Sequence, residues 1–335
     1  MISMRFNKFL PVLGLLLLAV SADAQPEIPM VHVAEGAFDM GLTDSGGDPF
    51  RFSIEIPVHS VHLDAYEIGV HEITNAQFSA VINWAFDNKQ VEAPINDAGP
   101  VLLNGRVLVD TGNQNSALVM RQGRCVVVER EGRSMDDFPV VLLSWHGAAA
   151  FCNWLSQWHG HQAMYDLATS GRTSRHGGGY RLPTEAEWER AAAWSSEGKH
   201  MTFAYPSEEI TFEWLNYFNW KGEVYVNPAG FGIKPFLSPV GWFQNRNGVD
   251  ARSPVGCYDM SGNVWEWCED WFAEDYYANS PPFNPTGPDT GTARVNRGGS
   301  WRSDAVYCRT AMRNFDAPEF LHYDLGFRIA RSIRE

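Results

Sequence analysis

Between Asp259 and Glu266 the chain reads DMSGNVWE, a carboxylate, a glycine at Gly262 that frees the backbone, and a second carboxylate seven residues on. That spacing suits one hard cation, because such ions take oxygen ligands from acidic side chains and backbone carbonyls alike. A turn whose acids face water is the plainer alternative. The five cysteines, Cys125, Cys152, Cys257, Cys268 and Cys308, contain no C-x-x-C pair, so neither zinc nor dithiol redox chemistry is indicated. Their odd number leaves at least one thiol unpaired, and two disulfides stay possible. His59, His62 and His71 are close in sequence, but His59 and His62 fall on opposite faces of a regular strand, which argues against a shared metal. A nucleophile and base can be drawn from Cys308 and His322, across a stretch of unknown path.

These residues need elements to hold them. Residues 30–41 read MVHVAEGAFDMG, an alternating strand pattern broken at Gly36 and followed by a polar, glycine-rich loop over residues 43–48. A second strand pattern covers Val58–Ile68 and leads to Thr74 or Asn75 as cap of a helix carrying Phe78, Val81, Ile82 and Ala85. Ser144 opens a helix over Trp145–Trp158, with Ala149, Phe151, Cys152 and Leu155 at helical spacing. Thr184 opens another over Glu185–Trp194, where Thr184 and Glu187 form a capping box and Trp188 and Ala192 share the buried face. Residues 87–136 read as a loop-rich insertion with a hairpin around Leu102–Val109 and Cys125–Glu129. Beyond Ser195, aromatic residues, Gly and Pro replace periodicity and predict loops tied to short strands. Arg181, Glu187, Arg297 and Arg313 are placed to form buried ion pairs that link loops.

With 26 Lys+Arg against 40 Asp+Glu the chain carries a formal charge of -14 and is a poor partner for nucleic acid or an anionic membrane surface. Residues 1–24 combine a basic start at Arg5 and Lys8, an apolar run from Phe9 to Val20, and Ala22-Asp23-Ala24, the pattern of a cleaved export signal. The mature chain is therefore expected to begin at Gln25 and to be periplasmic or secreted. The apolar run is shorter than the roughly 20 residues a membrane span takes, so no span is expected. A monomer is the expected state.

Six segments resemble, in order, the formylglycine-generating enzyme (sulfatase-modifying factor) family. They are MVHVAEGAFDMG, YEIGVHEITNAQF from Tyr66, PVVLLSWHGAAAFCNWLS from Pro139, YRLPTEAEWERAAA from Tyr180, DMSGNVWEW from Asp259, and RVNRGGSW from Arg294 closing with GFRIAR from Gly326. The resemblance implies one domain over residues 25–335, an α+β variant of the C-type lectin-like fold with little regular secondary structure. It implies calcium, held by side-chain oxygens of Asp259 and Glu266 and the carbonyls of Gly262 and Val264. A second calcium would use Asn216 and the carbonyl of Tyr217, but the downstream aspartate of that site is missing from its expected place.

Enzymes of this family oxidise a sulfatase cysteine to formylglycine with molecular oxygen and one copper(I) ion held by two thiolates. Counted from Gly298-Gly299-Ser300, the two cysteines should stand at positions 303 and 308, and the chain has Ser303 and Cys308. A hydroxyl is a hard, weak ligand for soft copper(I). Counted back from Arg313, Cys308 also falls too late, so the segment is shorter than in the enzymes. The expectation is a scaffold without the oxidase chemistry, Cys308 packed as a small apolar group. It would bind a peptide, protein or glycan through a groove near Trp265, Ser300, Trp301, Cys308 and Asp324. The loops Trp301–Tyr307 and Phe315–Tyr323, the second crowded by Phe315, Phe320, His322 and Tyr323, are the candidate contacts. The alternative is a divergent oxidase in which Cys308 holds copper.

Overall fold

Short polar side chains start the helices. Thr74 Oγ1 accepts the Gln77 amide at 3.2 Å while Gln77 Oε1 takes the Thr74 amide at 3.0 Å, opening α1 (Asn75–Asp87). Ser144 accepts from the Gly147 amide to open α2 (Trp145–Trp158), and Thr184 and Glu187 exchange a reciprocal pair of bonds at the head of α3 (Glu185–Ala193). Each bond satisfies an amide that a helix N-terminus leaves without an intrahelical partner. The computed structural model describes residues 24–42, 52–97, 99–173, 178–208, 211–218, 230, 234–246, 248 and 250–333. The predicted loop at 43–48 and the first 23 residues of the expected leader lie outside them.

The run Val58–Ile68, predicted as one strand, is two. His59–Leu63 pairs antiparallel with Gly36–Met40, whereas Tyr66–Gly69 pairs with Met30–Val33 on one side and Ala330–Ser332 on the other. Asp64 and Ala65 break the run between the sheets. Tyr180–Arg181 completes the antiparallel four-stranded sheet, so the first and last strands of the described chain share it. A second four-stranded sheet has the order Arg313–Asp316, Arg294–Arg297, Trp265–Trp271, Leu325–Gly326, with only the last pair parallel. Phe315, predicted in a loop, lies on its edge strand and stacks on Phe272 at 3.9 Å.

Residues 87–136 differ from the loop-rich reading. Three hairpins fill much of the stretch: Val101–Leu103 with Arg106–Val109, Leu118–Arg121 with Arg124–Val127, and Glu129–Arg130 with Arg133–Ser134. Their two-residue turns, Asn104-Gly105, Gln122-Gly123 and Glu131-Gly132, have positive φ at both positions, the geometry that matches strand twist in a tight hairpin. Val101, Leu108, Val109, Leu118, Met120 and Cys125 are buried in the same apolar cluster as α1 and α2. Helix α2 presses close to the first hairpin: a Cβ on Gly147 would stand 2.1 Å from the Leu108 carbonyl oxygen.

Helix α3 packs on both strands Trp265–Trp271 and Arg294–Arg297, and its acids are buried. Arg181 forks onto Glu187 at 2.6 and 2.7 Å, Arg313 onto Glu185 at 2.7 and 2.9 Å, and Arg297 bonds both Glu185 and Glu189. Buried charges persist only when paired in this way. All five cysteines are buried free thiols, so the two disulfides that the sequence left open are not formed. Among the described residues, no helix is long and apolar enough to cross a membrane.

Candidate functional site

Strand Arg294–Arg297 ends in Gly298 and Gly299, both at positive φ (97° and 74°). The second glycine is required by contact as well as by torsion, since a Cβ there would meet Cys308 Sγ at 2.6 Å. The turn delivers Ser300, whose Oγ donates to Asp324 Oδ2 at 2.8 Å, and Ser303, whose Oγ accepts the Ser300 amide at 3.1 Å. Asp324 also accepts, through its backbone carbonyl, the Trp265 amide at 2.8 Å. The other oxygen of the Asp324 carboxylate meets His322 Nδ1. Arg302 Nη1 lies 3.1 Å from His322 Nε2; because a guanidinium only donates, Nε2 accepts and Nδ1 carries the proton toward Asp324.

Aromatic rings wall this polar line. Trp301 meets Phe236 edge-on at 5.4 Å and Tyr323 at 5.7 Å, Arg302 lies over Tyr323 at 5.2 Å, and Phe320, 41% exposed, stacks on His322. Of the predicted groove residues, the Trp265 amide and the Ser300 hydroxyl both bond Asp324, while Ser300, Trp301 and Asp324 are themselves buried, at 0%, 3% and 6% exposure. Arg302, His322 and Tyr323 complete the surface; sequence reasoning had His322 and Tyr323 as loop aromatics and missed Arg302, whose signal was its place directly after the GGSW turn.

Cys308 lies directly behind this turn, against Gly299 and the Ser300 backbone. It is fully buried among Phe203, Tyr205, Leu215 and Tyr217, a different apolar cluster from that of Trp301, with Sγ 3.8 Å from the Asp304 carbonyl oxygen. Burial pushes its thiol far above the ordinary range, so the thiolate that metal binding or nucleophilic attack needs is strongly disfavoured. His322 has Asp324 and Arg302 as its partners, which leaves a Cys308–His322 couple without geometric support. A copper(I) ion needs two soft thiolates. Ser303 offers a neutral hydroxyl already bonded to Ser300, and Cys308 a buried neutral thiol, so these residues do not fit that ion.

The Asp259–Glu266 turn is built differently. Asp259, at φ 61°, accepts the Gly241 amide with Oδ2, while its Oδ1 is buried with no partner among the described residues. Burial, with Glu266 adding, raises its carboxyl to about 6. Glu72, also buried, is raised well above the carboxylate range by burial and then by Asp259 and Glu266. Asn263 donates to both Glu72 oxygens at 3.2 and 3.1 Å. Among the described residues no group of three or more His, Cys, Asp and Glu side chains is placed to hold a metal ion; of the side chains expected to hold calcium, Asp259 alone keeps a carboxylate oxygen without a partner. Glu266 does not contribute a free oxygen, because Arg328 forks onto it at 2.6 Å twice and Trp188 Nε1 adds a bond at 2.8 Å.

Gly262 (φ 88°) lies against Asn216, whose carbonyl oxygen would be 2.4 Å from an added Cβ, and Val264 is buried. The Asn216 carbonyl accepts from the Asn263 amide and its side chain donates to the Phe236 carbonyl at 2.9 Å, while Tyr217 stacks on Phe212. Asn216 therefore supports the same turn. Glu72 and Arg328 were missed in the sequence; an acid two residues before the α1 cap Thr74 was the available signal.

Two sheets that lock onto a buried acidic helix, joined by long loops, form an α+β scaffold of the C-type lectin-like kind. The chain belongs to the sulfatase-modifying factor family: residues 18–333 match the model of the sulfatase-modifying factor enzyme 1-like domain. It is 32% identical over 313 residues to a formylglycine-generating enzyme of Streptomyces coelicolor, covering 90% of this chain and 88% of that protein. It is 28% identical over 308 residues to the serine/threonine-protein kinase Pkn1 of Chlamydia trachomatis, of whose length it spans 38%. Among solved structures, Treponema denticola variable protein 1 superposes with a TM-score of 0.64 at 25% identity, covering 93% of this chain and 97% of that one. PvdO from Pseudomonas aeruginosa does so with a TM-score of 0.60 at 22% identity, covering 91% and 94%. The α+β fold class expected from the sequence is the one these structures share.

Proposed function

We propose that this protein is an exported binding or pathway-accessory module that recognises a peptide, protein or glycan through the Trp265–Ser300–Trp301–Asp324 groove, without oxidase chemistry. The observation that carries the reading is the pair at positions 303 and 308: a hydrogen-bonded serine and a fully buried, protonated cysteine. Beside the buried Ser300–Asp324 bond, the exposed Arg302 and Phe320 and the half-buried His322 and Tyr323 offer the polar and aromatic contacts that recognition needs. Calcium belongs to this proposal in a structural role, on Asp259 and carbonyls of its turn, with Glu266 committed to Arg328.

The oxidase is the second reading, favoured by the 32% identity to a formylglycine-generating enzyme. Incubation of the protein with copper, oxygen and a peptide carrying the family's Cys-x-Pro-x-Arg motif separates the two. The proposal expects the peptide thiol to be recovered unchanged by mass spectrometry; turnover to the aldehyde that is lost in Cys308→Ala would replace it with the oxidase.

A further inference from the structure

Ser170 closes the turn between strands Tyr165–Asp166 and Gly171–Arg172 in a left-handed backbone conformation, φ 61°. A side chain is strained there, where glycine is the easy residue. The contacts that this side chain makes are specific. Ser170 Oγ lies 3.1 Å from His146 Nδ1, and His146 Nε2 lies 3.3 Å from Glu319 Oε1. An ionised carboxylate only accepts, so Nε2 carries the ring proton, Nδ1 accepts, and the Ser170 hydroxyl donates to it. Burial lowers His146 first; a bond to Glu319 opposes this, and the charges of Arg106 and Arg294 lower it again, which leaves a neutral imidazole free to take a proton.

Three elements meet to make this row. His146 is in the first turn of α2, Glu319 is on the loop before Phe320 with its side chain 63% exposed, and the Ser170 turn is fixed by Arg294, which donates to the Ser170 carbonyl at 2.8 Å. Arg106 Nη1 donates to Ser170 Oγ at 3.2 Å, where it stabilises negative charge developing on that oxygen. Ser170 also lines a cleft of about 350 Å³ walled by Trp145, Tyr165 and Trp271, while His146 and Arg106 lie off it. The guanidiniums of the cleft, Arg172 and Arg294, are matched by the carboxylates Glu269 and Asp289, and Arg172 is bonded to Glu269 at 2.9 Å. Such a lining suits an uncharged guest.

We propose that Ser170, His146 and Glu319 are nucleophile, base and orienting acid for acyl transfer from small uncharged esters that enter this cleft. Ser170 Oγ bonds to the ester carbonyl carbon as its proton passes to His146 Nδ1; the ester C–O bond breaks and the leaving oxygen takes that proton. Water then attacks the acyl-serine by the same route, releasing the acid and restoring the hydroxyl. The Gly171 amide, directly after the nucleophile and on a long 3.3 Å bond to Thr169 Oγ1, is the donor that the developing oxyanion would draw on. This site is separate from the Ser300–Asp324 face and does not depend on the binding proposed for it.

The test treats the purified chain with phenylmethanesulfonyl fluoride, which transfers its sulfonyl group to an activated serine hydroxyl with loss of fluoride, and locates the adduct by peptide mass spectrometry. Release of p-nitrophenol from p-nitrophenyl acetate reads turnover. An adduct on Ser170 is expected, with hydrolysis lost as it forms. Ser170→Gly, which relieves the left-handed backbone, should abolish both. His146→Gln should slow labelling on the order of a hundredfold, and Glu319→Gln, on an exposed side chain, by a smaller factor. Labelling of the wild-type chain should hold as pH falls to the ordinary histidine value of 6.5 and drop only below it, a dependence that a merely structural histidine does not impart. Circular dichroism checks that each variant folds. No adduct on Ser170, labelling equally fast in folded His146→Gln, or hydrolysis undiminished in Ser170→Gly overturns the proposal.

Discussion

Glu189 illustrates how single residues hold this fold. Burial alone would raise its carboxyl, but Arg297 first, then His200 and the Gly41 amide, bring it down to about 2. The unfolded chain, with the ordinary glutamate value of 4.5, binds more protons between those limits, so stability rises with pH across the window. It is complete above about pH 4.5 and is lost as pH falls through about 2, a contribution of about 3 kcal/mol by linkage. Urea midpoints at several pH values should follow this slope, and Glu189→Gln should flatten it at the cost of a lower midpoint throughout. Asp259 gives a second residue-level prediction: calcium should raise the thermal midpoint of the wild-type chain, and Asp259→Asn should remove that response. A midpoint indifferent to calcium in both proteins would rule out the ion. Arg297 and Arg313 were legible in the sequence as buried ion-pair members, but Glu185 and Glu189 were not. Their signal, acids four apart on α3, is also what a solvated helix face looks like.

Elements were legible where local chemistry is unambiguous. The caps Thr74, Ser144 and Thr184 and the apolar spacing behind them fix three helix starts, and α2 has the bounds predicted. Of the hairpins in residues 87–136, the one around Leu102–Val109 was legible at Asn104-Gly105; the other two were not resolved, because Gln122-Gly123 and Glu131-Gly132 are weaker turn signals and their strands are only two to four residues long. Two glycines separate torsion from packing. Gly105→Ala, at φ 78° with open space around it, should cost about 1 kcal/mol from backbone strain alone. Gly147→Ala drives a methyl into the Leu108 carbonyl and should cost about 2–3 kcal/mol or force α2 off the hairpin, seen as a larger drop in the denaturation midpoint. Equal losses in the two variants would mean that α2 does not rest on the hairpin as described.

For the molecule as a whole, strands from several of the sequence segments end up side by side in the two four-stranded sheets. Ala330–Ser332 lies between Tyr66–Gly69 and Tyr180–Arg181. A chain ending at Arg328 should therefore lose its near-ultraviolet circular dichroism and fail to fold. The GGSW turn was legible in the sequence, but the Arg302–His322–Asp324 contacts depend on two loops meeting in space, which spacing along the chain does not encode. The proposal of a scaffold without oxidase chemistry rests most on the serine and buried cysteine at positions 303 and 308. Copper(I) titration of the purified protein against a competing chelator, beside Cys308→Ala, tests that directly. The account predicts no tight site and identical curves for the two proteins; one equivalent bound tightly by the wild-type chain and lost with Cys308 would contradict it.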